Sequence, residues 1–200
     1  DQYLSAREIS DPIALFDCVM PVAGAEAFLV MHEEDAKSTG LPYAHIRSTI
    51  ERHNAFPDDP IQMRGGWEMD VDELYAMAGL KPSDMDLVQT YDDYPVIVMM
   101  QLEDLGFCGK GEAPAFVQAH NLTIGGDFPH NTSGGQLSAG QPGAAGGFLG
   151  LVEAIRQVTG KAGPTQVPGA RNALASGFGM INYDRGLCSG AIILSGSGDD

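Results

Sequence analysis

The strongest constraint on this chain is a glycine-rich stretch between residues 125 and 150. Glycine accounts for 26 of the 200 residues, and nine of those glycines fall in this stretch. Because glycine has no Cβ, backbone N–H groups can approach a ligand closely where it recurs. Residues 148–158 (FLGLVEAIRQV) follow with helical periodicity. We therefore expect a binding loop that leads into a helix N-terminus, where developing negative charge is favoured.

Charge and hydropathy exclude several classes of protein. Lysine and arginine total 11 against 27 aspartates and glutamates, which gives a formal net charge of -16. Nucleic-acid binding depends on clustered Lys and Arg, so this class is excluded. The longest apolar runs, such as residues 96–100, fall far short of the ~20 residues that span a bilayer, so no membrane span is expected. The hydrophobic fraction of 44% is typical of a globular protein.

Cysteine and histidine spacing predicts neither disulfides nor a metal. Cys18, Cys108 and Cys188 are scattered and odd in number, which favours the reducing cytoplasm. No cysteines or histidines have the spacing of a zinc site, so isolated histidines such as His53 are predicted to be surface or core residues. Nucleotide-binding loops are absent as well. We expect no metal and no separate cofactor.

Hydrophobic patterning predicts an α/β fold. Strands are predicted at residues 43–50, 85–90, 173–181 and 191–194, and a loop at 52–67. Residues 25–31 are predicted to be a buried strand or the junction of a strand with a helix. Helices are predicted to begin at His32 and to cover residues 70–80, 96–106 and 148–158. The turn at 182–186 should join the last two strands as a hairpin.

Polar side chains follow the buried strand at 85–90. This strand delivers Tyr91, Asp92, Asp93 and Tyr94 at its carboxyl end, where open α/β sheets bind ligands. The glycine-rich loop adds the Asn131 and Gln141 amides, which carry both donors and acceptors.

Four motifs along the chain are similar to those of one protein family. They read AGAEA at 23–27, AGLKPSDMDLV at 78–88, LGFCGKGE at 105–112 and NTSGGQLSAGQPGAAGG at 131–147. Together they resemble the thiolase superfamily, in particular its lipid-transfer or sterol-carrier branch. The resemblance implies the C-terminal half of a thiolase fold, with a mixed five-stranded sheet covered by helices in a layered αβαβα architecture.

The resemblance also implies a division of the chain. Residues 1–40 would be the last strand and helix of the N-terminal thiolase half, residues 41–196 the C-terminal domain, and residues 197–200 a polar tail. A half-fold of this kind should expose an apolar face, so we expect it to persist only with its other half or a partner chain.

The positions that carry catalysis in thiolases differ here. The resemblance places Gln141 at the catalytic histidine and Tyr91 at the asparagine that holds an oxyanion water. Asp184 falls on the second catalytic cysteine, with Tyr183 beside it. A glutamine amide cannot accept a proton near pH 7, so the base that thiolysis needs is missing.

With these changes the chain resembles the thiolase-like aldolases of steroid side-chain breakdown, which are carbon–carbon lyases. The resemblance implies cleavage of a β-hydroxyacyl-CoA into a ketone and a short acyl-CoA such as propionyl-CoA. Tyr91 and Tyr183 would transfer the protons, and which of them is the acid stays open. The thioester pocket would comprise Asn131, His130, Gln141, Gly190, Asp184 and Tyr94.

The same resemblance implies partners and leaves alternatives. Such aldolases work with a small OB-fold partner of the acyl-CoA-associated type, and the thiolase fold implies a homodimer. One alternative is a β-ketoacyl-CoA thiolase, an acetyl-CoA acyltransferase, that uses a cysteine from the other half. Another is a non-catalytic acyl-CoA-binding subunit.

Overall fold

The structure, a computed structural model, describes residues 1–182 and 185–197. A small antiparallel sheet comes first, formed by β1 (Glu8–Ser10) and β2 (Ile13–Ala14). The main sheet comprises β3 (Ala44–His53), β4 (Leu87–Gln89), β5 (Asn172–Asn182) and β6 (Arg185–Gly196). The helices are α1 (Glu33–Ser38), α2 (Trp67–Ala78), α3 (Pro95–Asp104), α4 (Ala113–Ala119), α5 (Gly135–Ala139) and α6 (Leu149–Val158).

The main sheet is mixed, and its strand order is β3-β6-β5-β4. β6 pairs antiparallel with both β3 and β5, and β4 pairs parallel with β5. The predicted α/β class and the predicted β5–β6 pairing are thus confirmed. Tyr183 and Asp184, in the predicted turn of this hairpin, lie outside the described residues.

In the described part of the chain the main sheet has four strands rather than the five expected. The fifth position is reduced to a single parallel bridge between Val88 and His130. The Val88 N–H donates to the Pro129 carbonyl at 3.0 Å, and the Val88 carbonyl accepts the Asn131 N–H at 3.0 Å. Asn131 then adopts a φ of 43°, which takes the chain out of the extended region after one residue.

Alternation along the strands explains why both faces of the sheet are buried. Leu174 and Ile193 enter a core with α2, which also contains Trp67. Their neighbours Ala173 and Leu194 enter a second core with α6. Successive side chains of a strand point to opposite faces, so continuous apolar runs are what a doubly covered sheet requires.

Helix α2 begins three residues before the predicted start at residue 70. The indole of Trp67 is fully buried, and its Nε1 donates to the Gly190 carbonyl at 2.8 Å. This contact fixes the first turn of the helix. The helix ends at Ala78, two residues before the predicted end at residue 80, because Gly79 closes it with a φ of 68°.

The prediction of a buried strand at 25–31 is wrong in this structure. The segment contains no strand, and Leu29 is 84% exposed and Val30 73% exposed. An apolar cleft of about 790 Å³ separates this segment from α6 and β6. The chain therefore exposes an apolar face of the kind expected of a half-fold. None of the helices in the described residues is both long and apolar enough to cross a membrane.

Candidate active site

Tyr91 and Gln141, which lie fifty positions apart, meet directly. The Gln141 Nε2 donates to the Tyr91 hydroxyl at 2.6 Å. Gln141 is held from the N-terminal segment, since its N–H donates to the Met20 carbonyl at 2.9 Å and its carbonyl accepts the Val22 N–H at 3.2 Å. The sequence-predicted pair is thus assembled by three separate parts of the chain.

A buried glutamine fixes the backbone of Tyr91. The Gln101 Oε1 accepts the Tyr91 N–H at 3.1 Å, and its Nε2 donates to the Tyr91 carbonyl at 2.7 Å. Ser176 of β5 donates its hydroxyl to the same Oε1 at 2.7 Å. The Tyr91 ring packs beside Phe178, with 6.5 Å between centroids. Tyr91 therefore leaves β4 with both backbone and ring immobilised.

The surroundings of Tyr91 keep its phenol protonated. Burial is the largest cause that raises its pKa above the ordinary value, and the charges of Asp93 and Asp92 add to it. Hydrogen bonds from the Gln141 and Gln136 amides act in the opposite direction without reversing the shift. At neutral pH Tyr91 is consequently a proton donor.

Asp92, for which the sequence predicted a place at the polar sheet edge but no specific role, organises the glycine-rich loop. Its buried carboxylate accepts the N–H groups of Gln136 at 2.7 Å and Leu137 at 3.3 Å, in the first turn of α5. Gly135 has a φ of 62°, and a Cβ there would lie 1.9 Å from the Asp92 carboxylate. These two N–H groups are satisfied within the protein, so they are not the donors for a thioester oxygen.

Asn131 joins the end of β4 to the same loop. Its Oδ1 accepts the Thr90 N–H at 2.9 Å, and its carbonyl accepts the Gly134 N–H at 2.7 Å. Asn131 and Tyr91 both line a small cavity of about 10 Å³. A space of that size holds about one water molecule. The cavity is therefore too small for an acyl group.

Two polar atoms of the cavity lining have no partner among the described residues. They are the buried Ser133 Oγ and Gln136 Oε1. A buried polar group without a partner is costly, so this lining is suited to a water or a polar ligand group.

A buried hydroxyl ties the loop to the sheet and to α6. Thr132 accepts the amides of Gln89 and Gln157 at 3.0 Å each and donates to the Glu153 Oε1 at 2.7 Å. A hydroxyl offers one donor and two acceptor sites, so this group is fully satisfied. Sequence analysis missed the network, although Glu153 and Gln157 interrupt the apolar face of α6 at i, i+4 spacing.

His130 is a structural neighbour of the site. Its Nε2 lies 2.8 Å from the Thr90 hydroxyl, and its ring stacks on Phe128 with 6.5 Å between centroids. Burial lowers the pKa of His130 to about 4. The imidazole is therefore neutral at pH 7 and positions Thr90, whose own N–H donates to Asn131.

Two further predicted site residues, Tyr94 and Gly190, do not line the cavity beside Tyr91. Tyr94 precedes α3 with 38% of its surface exposed and does not line the cavity. Gly190 lies in β6, where it pairs with Gly177. The rings of Trp67 and Phe178 pack against each other, and Phe178 packs in turn beside the Tyr91 ring.

Comparisons with known proteins identify the fold family. Residues 53–188 match the thiolase C-terminal domain-like family. The chain belongs to this family. It is 36% identical over 167 residues to a steroid side-chain-cleaving aldolase of Thermomonospora curvata, an alignment that covers 80% of this chain and 42% of that protein. It is 31% identical over 188 residues to sterol carrier protein 2 of Oryctolagus cuniculus, covering 90% of this chain and 34% of that protein.

A solved structure extends the likeness to the whole chain. The Ltp2-ChsH2(DUF35) aldolase superimposes with a TM-score of 0.81 at 28% identity, covering 100% of this chain and 51% of that one. The chain thus spans about half the length, or less, of these relatives. The predicted resemblance to the thiolase superfamily and to its lipid-transfer branch is confirmed.

Positive charge is largely engaged within this thiolase-like domain. Lys110 lies 2.6 Å from the buried Asp104 carboxylate. The Arg185 guanidinium donates to the carbonyls of Phe56, Pro57 and Asp59 at 2.9–3.2 Å. These two cations therefore stabilise contacts within the domain.

Removal of the Thr132 hydroxyl should destabilise the domain. Thr132→Val keeps the shape but removes the hydrogen-bond partner of the buried Gln89 amide. Glu153 and Gln157 lose one hydrogen bond each and keep the 2.9 Å bond between them, so the total cost should be about 2 kcal/mol of the free energy of unfolding. Thr132→Ser keeps the hydroxyl and should cost about 1 kcal/mol for the lost methyl. Urea unfolding of the two variants measures the difference, and equal losses would contradict the network.

Substitution of Gly135 separates backbone strain from the contact with Asp92. Gly135→Ala adds a methyl against the Asp92 carboxylate, whereas Gly143→Ala, at a similar φ of 61°, meets nothing within 4 Å. The Gly143 variant should show only the left-handed strain of about 1–2 kcal/mol. The Gly135 variant should lose clearly more stability in thermal unfolding, and a loss equal to that of the control would argue against the Asp92 anchor.

His130 should make the domain sensitive to mild acid. The unfolded chain protonates this imidazole near pH 6.5, but the folded state does so only near pH 4. Its contribution is therefore complete above pH 6.5 and falls by about 3 kcal/mol as the pH drops to 4. His130→Gln keeps a hydrogen-bonding group, so it should remove that part of the slope when unfolding free energies are compared between pH 4 and 7. An unchanged slope would contradict the assignment.

Proposed function

We propose that this chain is the C-terminal part of a thiolase-fold aldolase that cleaves a β-hydroxyacyl-CoA. The observation that carries the proposal is the 2.6 Å contact between Gln141 Nε2 and Tyr91 Oη. Where a thiolase uses an imidazole base, this chain offers an amide and a neutral phenol. The pair can donate a proton but cannot take one from a cysteine at pH 7.

A retro-aldol reaction needs one base, one acid and no covalent intermediate. The base removes the proton of the β-hydroxyl, the Cα–Cβ bond breaks, and its electron pair forms a thioester enolate as the β-carbon becomes a ketone. The acid then returns a proton to Cα, so the products are the ketone and a shorter acyl-CoA. The raised pKa of the Tyr91 phenol favours it as this acid.

The base would come from the residues between Asn182 and Arg185. We assign it to the pair Tyr183 and Asp184, which lie outside the described residues. Asn131 and Gln141 would act as positioning residues, because the Asn131 Oδ1 holds Thr90 and the Gln141 Nε2 holds the Tyr91 hydroxyl.

Substrate, partners and location are part of the same proposal. The similarity to a protein named steroid side-chain-cleaving aldolase supports a steroid side-chain thioester, with a product such as propionyl-CoA. The name of the similar Ltp2-ChsH2(DUF35) aldolase supports a second protein component. We propose that this partner is a small OB-fold protein, that the thiolase-type domain forms a homodimer, and that the complex is cytoplasmic. Since the net charge is -16 and Lys110 and Arg185 are engaged, the rest of the protein or this partner would hold the CoA phosphates.

Tyr91→Phe in the full-length protein should lower kcat about 10²–10⁴-fold, the usual contribution of a general acid. KM should change little, because the ring and its backbone contacts remain. Tyr75→Phe is the matched control, since the Tyr75 hydroxyl donates only to the buried Leu105 carbonyl at 3.0 Å. Turnover of a β-hydroxyacyl-CoA is measured by ketone release, and full activity of the Tyr91 variant would exclude it as the acid.

Further variants and a trapping experiment separate the alternatives. Tyr183→Phe and Asp184→Asn are tested separately for release of the ketone. The variant that abolishes this release identifies the base. An acyl-cysteine trapped by mass spectrometry would favour a β-ketoacyl-CoA thiolase instead. Binding of acyl-CoA without turnover would favour a non-catalytic subunit.

A further inference from the structure

Three side chains of metal-ligating types, Glu51, His53 and Cys188, meet at the surface on the face of the sheet opposite α2. Glu51 and His53 are two residues apart on β3, so both point to the same face. Cys188 of β6 is the cross-strand partner of His53. One ligand atom from each of the three residues lies within 4.8 Å of the other two. The cluster brings together residues 135 positions apart in the chain.

We propose that Glu51, His53 and Cys188 form a binding site for a Zn²⁺-type divalent cation. The Cys188 Sγ lies 3.9 Å from the His53 Nε2, and the Glu51 carboxylate contacts that same nitrogen. Zn–S bonds of about 2.3 Å and Zn–N or Zn–O bonds of about 2.0–2.2 Å separate tetrahedral ligands by roughly 3.4–3.6 Å. Side-chain rotations alone therefore bring the three ligands to one ion.

The donor set selects the metal. Thiolate, imidazole and carboxylate together favour Zn²⁺, whereas Mg²⁺ and Ca²⁺ prefer oxygen ligands throughout. When the ion binds, the Cys188 thiol releases its proton to solvent, and the two anionic ligands then balance the double positive charge. The strongly acidic chain also raises the local concentration of cations.

The floor of the site leaves a fourth coordination position open. Glu51 pairs with Gly190, and Gly190 pairs in turn with Gly177. A Cβ at Gly177 or Gly179 would meet nothing within 4 Å. Because β5 has glycine at both positions, which pair with Gly190 and Cys188, there is space for a water or a small ligand to complete the tetrahedron.

The cluster is distinct from the Tyr91 site. Next to Cys188, the Ser189 side chain is buried on the α2 face, where it accepts the Gly66 N–H at 2.9 Å. Neighbouring side chains alternate, so Cys188 points to the other face. Tyr91 packs with the core on the α2 side. The proposal therefore does not depend on the aldolase reaction.

Co²⁺ replaces Zn²⁺ and reports thiolate coordination through its absorption. Titration of the reduced full-length protein with CoCl₂ should produce tetrahedral d–d bands and a thiolate-to-Co²⁺ charge-transfer band that saturate at one equivalent of Co²⁺. Addition of ZnCl₂ should displace the Co²⁺ and remove both features. Cys188→Ser should abolish the charge-transfer band. His53→Gln and Glu51→Gln should each weaken binding at least tenfold.

Matched controls decide whether the site is specific. Cys108→Ser removes another thiol, and His120→Gln removes another surface imidazole, whose Nδ1 lies 2.6 Å from the Asp127 carboxylate. Both controls should bind Co²⁺ like the unaltered protein, and far-UV circular dichroism confirms that each variant is folded. A charge-transfer band that survives Cys188→Ser, one that a control variant abolishes equally, or no saturable band at all would overturn the proposal.

Discussion

The Thr132 hydroxyl is the interaction on which the architecture of the site depends. It receives an amide from β4, receives another from α6 and donates to the Glu153 carboxylate of the same helix. All four side chains are buried, so any of them left unpaired would incur the full cost of desolvation. A glycine-rich loop would otherwise have many conformations, and this hydroxyl fixes it between sheet and helix.

From that anchor the loop geometry follows step by step. Asn131 precedes Thr132 and turns the chain with a left-handed φ, while its Oδ1 holds the end of β4 through the Thr90 N–H. Gly135 then passes so close to Asp92 that a side chain would not fit. Asp92 is thereby buried beside Tyr91, and its charge helps to keep the phenol protonated. The contact between Gly135 and Asp92 thus both stabilises the loop and helps to raise the pKa of Tyr91.

The sequence predicts the parts of this arrangement that local patterns encode. Apolar runs identify β4, β5, β6 and α6, and the replacement of two catalytic positions points to Tyr91 and Gln141 before their contact is seen. Local patterns do not reveal the Asp92 anchor, because its partners are backbone N–H groups more than forty residues away. The segment 25–31 has the composition of a buried strand, but a strand needs a neighbour to pair with, and the described residues provide none.

Local patterns in the sequence also fail to reveal the proposed metal site. Spacing rules detect ligands that lie on one turn or one helix, whereas Glu51, His53 and Cys188 come together only through the β3–β6 register. A shift of that register by one residue would move the β3 side chains to the opposite face and separate them from the thiol. The register is itself set by which residues enter the two cores, Ile193 on one side and Leu194 on the other. Hydrophobic alternation in β6 therefore decides which polar groups can act together on the surface.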